Sequence, residues 1–160
     1  MLAAEKIFRA LNEHRVDYVV IGALAATLHG SPLRTEDVDV CPARAGGNLA
    51  RLARALLALE AKEYDSRRGE LVARSWDEAT LLGDATWLLA TTAGRLDLVF
   101  DPDGTGGYDD LVRDATEVEV DGLRFRVASL EDVIRSKEAA GRPKDKEQLP
   151  TLRRLLDLNE

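Results

Sequence analysis

Ile7, Phe8 and Leu11 recur at the spacing of one helical face, which predicts a helix over 2–14. The pattern then changes period. Tyr18, Val19, Val20 and Ile21 form a short apolar run rich in β-branched residues, expected as a buried strand that ends at Gly22. A short helix over 23–28 follows and is closed by Gly30, Ser31 and Pro32. Asp37, Val38, Asp39 and Val40 alternate acid with valine, predicting a second strand over 37–40 with both carboxylates on one face. Pro42 opens a loop to Asn48, and a helix is expected over 49–61. Its inner side carries Leu49, Leu52, Ala53 and Leu56, with Leu59 or Leu57 completing it.

Residues 62–84 have no clear period and support only weak strand and loop assignments. Two strands over 85–91 and 95–100 turn at Ala93 and Gly94. A loop over 101–107 leads to a short helix over 108–114. Asp121 and Gly122 mark the turn of a hairpin formed by 117–120 and 123–127. Ser129 caps a helix that Gly141 closes, and Pro143 opens a last helix ending near Leu158. Helices interleaved with strands and hairpins argue for an α/β (α+β) fold, a mixed central sheet flanked by helices.

The 160 residues suit one domain spanning 1–160, and 45% hydrophobic content argues against disorder. The net charge of −7 opposes non-specific binding to nucleic acid, although a local basic patch remains open. Cys41 is the only cysteine, so no internal disulfide forms. The amphipathic start lacks the apolar core of a secretory signal, and no apolar run approaches the ~20 residues of a membrane span. These features are read as a cytoplasmic protein without a membrane partner.

Three carboxylates are candidates for chemistry. Asp37 and Asp39 share a strand face and repel unless a cation lies between them. Asp97 alternates with Leu96 and Leu98 and faces the other way, with Arg95 and Val99. If its strand lies beside that of Asp39, the three acids form a site for Mg²⁺ or Mn²⁺. Asp97 paired simply with Arg95 is the alternative. Gly22 lets backbone approach a phosphate. Lys137 falls on the apolar stripe of Leu130, Val133, Ile134 and Ala140, where it must snorkel, pair with an acid, or meet a phosphate. Arg142, Lys144 and Lys146 extend a positive wall, and Lys144 with Asp145 also reads as a helix-start ion pair.

Other patterns are weaker. The run Asp101, Asp103, Thr105 starts like a calcium loop but has Val112 where the twelfth-position glutamate belongs. His14 and His29 are too isolated for zinc, and Trp76 and Trp87 read as core or loop anchors. No Walker A or dinucleotide fingerprint is present.

Gly22-Ala23, then Asp37-Val38-Asp39 after thirteen residues, then the apolar-flanked Asp97, resembles the nucleotidyltransferase superfamily with the DNA polymerase β-like fold. The stretches 20–37 and 129–145 are similar to the small bacterial AbiEii-toxin-like branch. The resemblance implies a minimal nucleotidyltransferase fold and transfer of a nucleoside monophosphate from an NTP to a hydroxyl acceptor. It implies Asp37, Asp39 and Asp97 as catalytic metal ligands. It also implies Gly22, Ala23, Arg34, Thr35, Lys137 and Lys144 as nucleotide-binding residues. Ala23 stands where glycine or serine is usual, so no hydroxyl is offered to phosphate there. Three readings stay open: a toxin with an antitoxin partner acting on RNA or protein, a small-molecule (antibiotic) nucleotidyltransferase, and a catalytically silent binding protein on the same fold.

Overall fold

The computed structural model describes residues 2–33 and 35–159. The first elements are α1 (Leu2–Glu13), β1 (Tyr18–Ile21), α2 (Gly22–Leu28), β2 (Val38–Pro42) and α3 (Asn48–Ala58). The middle comprises β3 (Lys62–Asp65), β4 (Glu70–Val72), α4 (Glu78–Leu82), β5 (Thr86–Thr91) and β6 (Gly94–Val99). The rest is α5 (Tyr108–Asp114), β7 (Thr116–Val120), β8 (Leu123–Val127), α6 (Leu130–Ala140) and α7 (Pro143–Leu158). The eight strands form one mixed sheet in the order β4-β3-β5-β6-β2-β1-β8-β7. This is the expected mixed α/β architecture. No helix among the described residues is long and apolar enough to cross a membrane.

One sheet face is closed by apolar packing. Ile7, Phe8 and Leu11 of α1 are buried with Leu49, Leu52 and Leu56 of α3, over Leu96 and Leu98 of β6. Phe8 stacks on Phe125 of β8 at a centroid distance of 4.3 Å, joining the helix to the far half of the sheet. Because strand side chains alternate, this packing forces Asp97 onto the opposite face. Trp76 and Trp87 meet edge to face at 5.6 Å, and their indole N–H groups donate to the carbonyls of Ala61 and Leu81. They are buried anchors, as expected.

Several boundaries differ from the sequence expectation. Asp37 precedes β2 rather than lying in it, while Pro42 is its last residue. The α3 helix stops at Ala58, short of 61. Glu60 takes a left-handed φ of 51°, and Ala61 N–H reaches back to the Leu56 carbonyl at 3.0 Å. The chain turns there to enter β3. Leu59 is therefore buried, and Leu57 stands 58% exposed. The middle, expected only as weak strand and loop, folds as strands β3 and β4 and, in place of a loop, the helix α4, which Asp77 caps through the Thr80 N–H at 2.7 Å.

Asn48 ties the loops at one end of the sheet. Its fully buried side chain accepts from Asp17 N–H at 2.7 Å and donates to the carbonyls of Asp17 (2.9 Å) and Ala43 (2.7 Å). Asn48→Ala would strand these backbone groups, an expected cost of about 2–4 kcal/mol. A urea titration should show a lower midpoint with an unchanged slope; an unmoved midpoint would mean that water replaces the amide without loss.

Candidate active site

Four neighbouring strands place one residue each in a single row across the open sheet face. Ile21 of β1 pairs with Asp39 of β2, Asp39 with Asp97 of β6, and Asp97 with Leu88 of β5. The two carboxylates thus project side by side from adjacent parallel strands. The sequence expectation that Asp97 lies beside Asp39 is met by this register. Asp37 lies just outside the row. Its carboxylate sits 4.0 Å from Arg95 Nε, while Arg95 Nη2 lies 3.7 Å from Asp97 Oδ1. Arg95 therefore stands between the outer and inner acids. Among the described residues, no three His, Cys, Asp or Glu side chains form a ready-made metal site. Asp39 and Asp97 are an inner pair, with Asp37 set apart toward Arg95.

Gly22 makes room for this pair. Its φ is +69°, and a Cβ added there would collide with Asp39 Oδ2. Glycine is required here both by the left-handed backbone and by the carboxylate lying against it. Burial, and then the charges of Asp97 and Asp37, push the Asp39 carboxyl up to about 7, against the opposing charge of Lys144. Burial also raises the Asp97 carboxyl, with the Arg95 guanidinium pulling the other way. Asp97 Oδ1 is buried and has no hydrogen-bond partner. Two desolvated carboxylates side by side, one with an unmatched acceptor, are costly for folding alone and typical of a site that receives a ligand.

The pair forms the floor of a cleft of about 350 Å³ walled by α6, the start of α7 and the loop after β6. Lys137 and Arg142 line its wall. Lys137 is only 8% exposed, and its Nζ lies 3.6 Å from Asp145 Oδ1. Asp145 is completely buried and also receives Arg142 Nε at 2.7 Å and the Arg142 backbone N–H at 3.2 Å. One carboxylate thus orients two cations at the α6–α7 corner, where Gly141 takes the left-handed φ of 61° expected of a helix stop. Burial alone would raise the Asp145 carboxyl; the hydrogen bonds and charge of Arg142, with help from Lys137, hold it below its ordinary value. Burial lowers Lys137 in spite of Asp145.

Asp145 is a residue whose role the sequence reading placed elsewhere: its partners are Arg142 and Lys137, not Lys144. The signal lay in its position one turn into α7, facing inward. Lys144 is exposed at the rim, near enough for its charge to act on Asp39. Thr35 accepts the Asp37 N–H at 3.1 Å and so shapes the approach to β2. The Ala23 carbonyl accepts the Thr27 hydroxyl within α2. Neither Thr35 nor Ala23 lines the cleft. Arg34 lies outside the described residues.

Known proteins share this arrangement at the level of the fold. A proposed nucleotidyltransferase from Thermotoga maritima superposes with a TM-score of 0.59 at 21% identity, covering 96% of this chain and 90% of that one. The antibiotic-resistance factor ANT(2'')-Ia superposes with a TM-score of 0.61 at 15% identity, over 99% of this chain and 83% of its own. In its complex with adenylyl-2''-tobramycin the values are 0.59 and 14%, over 98% and 87%. No protein-family model matches the chain, and no curated protein matches it in sequence. At these identities the likeness establishes the fold: this chain has the nucleotidyltransferase fold.

The raised carboxyl of Asp39 sets a pH dependence. In the unfolded chain it titrates near 3.8 and in the folded protein near 7. The native state then holds a proton that the unfolded chain releases. This contribution to stability is complete below the unfolded value and disappears as pH rises through the folded one. Asp39→Asn removes the effect. The variant should be more stable than the wild type at pH 8, by about 1–3 kcal/mol, with the gap closing toward pH 4. Thermal melts of both proteins across this range check it; an equal gap at both ends would show that the carboxylate is not desolvated.

Proposed function

We propose that this protein transfers a nucleoside monophosphate from an NTP to a hydroxyl of an acceptor, releasing pyrophosphate. The observation that carries the reading is the Asp39–Asp97 pair, its Asp97 Oδ1 without a hydrogen-bond partner, in a cleft whose wall presents Lys137 and Arg142. The acids would repel a triphosphate by themselves, so the reading calls for a divalent cation. Asp39 and Asp97 would offer the oxygen donors that Mg²⁺ or Mn²⁺ prefers, with Asp37 reaching them only by leaving Arg95, and a buried acceptor without a hydrogen bond is what such an ion would satisfy. When bound, the ion would neutralise phosphate charge and ease loss of the acceptor proton.

The chain's own residues have separable tasks. Lys137 and Arg142, fixed by Asp145, bind the triphosphate at one end of the cleft. The backbone at Gly22, which lines the cleft, would take a phosphate oxygen, and Ala23 beside it offers no hydroxyl such as serine would add. Lys144 at the rim, and Arg34 and Thr35 before β2, assist its approach. Asp97 accepts the acceptor's hydroxyl proton; burial raises its basicity for this role. The hydroxyl oxygen bonds to the α-phosphorus as the bond to the pyrophosphate oxygen breaks, and pyrophosphate leaves carrying that electron pair. The cytoplasm supplies both NTP and cation.

A toxin of the AbiEii-like kind would use a macromolecular acceptor and be held by an antitoxin. The test separates these cases. The protein is incubated with each NTP labelled at the α-phosphate, Mg²⁺ and total cell extract. Label should enter one fraction only when Mg²⁺ is present. Asp39→Ala and Asp97→Asn should each lower it on the order of 100-fold or more. Label on RNA or protein supports the toxin reading, and label on small molecules supports the other. A folded wild type that neither binds NTP nor labels any fraction overturns the proposal.

A further inference from the structure

The two margins of the sheet differ in what they present. β7 closes one end and β4 the other, and among the described residues neither has a strand on its outer side. β7 carries Glu117 and Glu119, both exposed. A second copy laid antiparallel on it about Val118 would set acid against acid. β4 lacks this guard. Its Leu71 is 52% exposed and pairs with Tyr64 of β3, itself 42% exposed. The register fixes their face. Val72 pairs with Glu63, Glu63 with Leu89, and Leu89 with Leu96 on the side packed by α1 and α3. Val72 therefore belongs to the closed side, and Leu71 with Tyr64 to the open one. A leucine and an aromatic ring thus meet water beside an edge whose backbone N–H and C=O groups have no strand to pair with.

The charges along this edge complement themselves. Glu70 and Arg74 lie two residues to either side of Val72. Antiparallel pairing of two copies about Val72 sets each Glu70 opposite the other copy's Arg74, the two Val72 side chains opposite each other, and Leu71 opposite Ala73. Centring the pair on Leu71 instead would set Arg68 against Arg74. Within one copy Glu70 meets only the exposed Arg68, at 3.7 Å, while Arg74 reaches Glu63 at 2.8 Å. We infer that β4 is the contact edge of a homodimer, with the two-fold axis at Val72 joining two eight-stranded sheets into one. The occupant is a second copy because the edge matches its own charge pattern. A seam running from Glu70 to Arg74 is short, so the association is weak, with a Kd on the order of 10 µM. None of these residues lines the cleft, so the dimer stands apart from the transfer reading.

Sedimentation equilibrium of the full chain from about 1 to about 300 µM tests this. The apparent mass should rise from 17.6 kDa toward twice that value. Glu70→Arg alone and Arg74→Glu alone each set like charges face to face and should raise the Kd about tenfold or more. Mixed in equal amounts, the two variants present opposite charges at both pairs and should associate again. Leu71→Lys, at an exposed edge position, should also keep the protein monomeric. Val72→Cys should form a disulfide-linked dimer with oxidised glutathione, because the two Cα atoms meet across the axis at about 4.5–5.5 Å. The native Cys41 is buried and takes no part. Val118→Cys on β7 is the control and should stay monomeric. A mass of 17.6 kDa at every concentration overturns the interface. A dimer weakened by neither Glu70→Arg nor Leu71→Lys overturns it too, as does a mixture of the charge variants that fails to associate, or a crosslink at Val118 in place of Val72.

Discussion

The repulsion between Asp39 and Asp97 is the constraint around which the rest of the molecule is organised. Parallel pairing of β2 with β6 sets them in register, with no residue between them to relieve the field. Nothing in the fold's own stability asks for this. A hydrophobic pair in the same row would bury well between Ile21 and Leu88. The protein instead holds the acids rigidly, with α1 and α3 packed beneath the sheet and Gly22 shaped to the Asp39 carboxylate. The closed face supplies stability so that the open face can carry strain of an electrostatic kind.

Asp145 does the reverse for the cations. A lysine and an arginine facing one cleft would repel each other and swing toward water. Their shared, fully buried partner holds both side chains at the α6–α7 corner. Arg142 contributes its backbone N–H as well, so the start of α7 and the orientation of the guanidinium are fixed by the same carboxylate. Removing Asp145 would disturb the helix junction and the cleft wall together. The position therefore links the fold's stability to the geometry of the site.

The sequence carried the parts of this that depend on local period. Alternation at Val38, Asp39 and Val40, and at Leu96, Asp97 and Leu98, identified which acids share a face with which neighbours. The caps at Ser129 and Gly141 were also legible, since each is decided within one turn of chain. What was hidden depends on distant pairing. Asp37 looks equivalent to Asp39 in the sequence, yet β2 begins one residue after it and Arg95 of another strand draws it aside. Asp145 looked like the partner of its neighbour Lys144 because the approach of α7 to α6 is not written in either helix. Asp132 sits three residues after a capping serine, which explains its place without revealing its orphaned oxygen. Residues 62–84 lacked a period because β3 and β4 form the margin of the sheet, where little is buried.

The cleft that results is polar along its length. Lys137 and Arg142 stand at the α6–α7 corner, Asp103 and Asp132 line the same cleft, and the desolvated pair forms its floor. A ligand of uniform charge meets both attraction and repulsion there. Asp39 is also where a proton is held or released near neutral pH, because burial and the charges of Asp97 and Asp37 raise its carboxyl, while burial raises Asp97 against the pull of Arg95. The same electrostatic cost that makes the pair unfavourable for folding alone thus marks the point in the cleft where a positively charged partner would be best received.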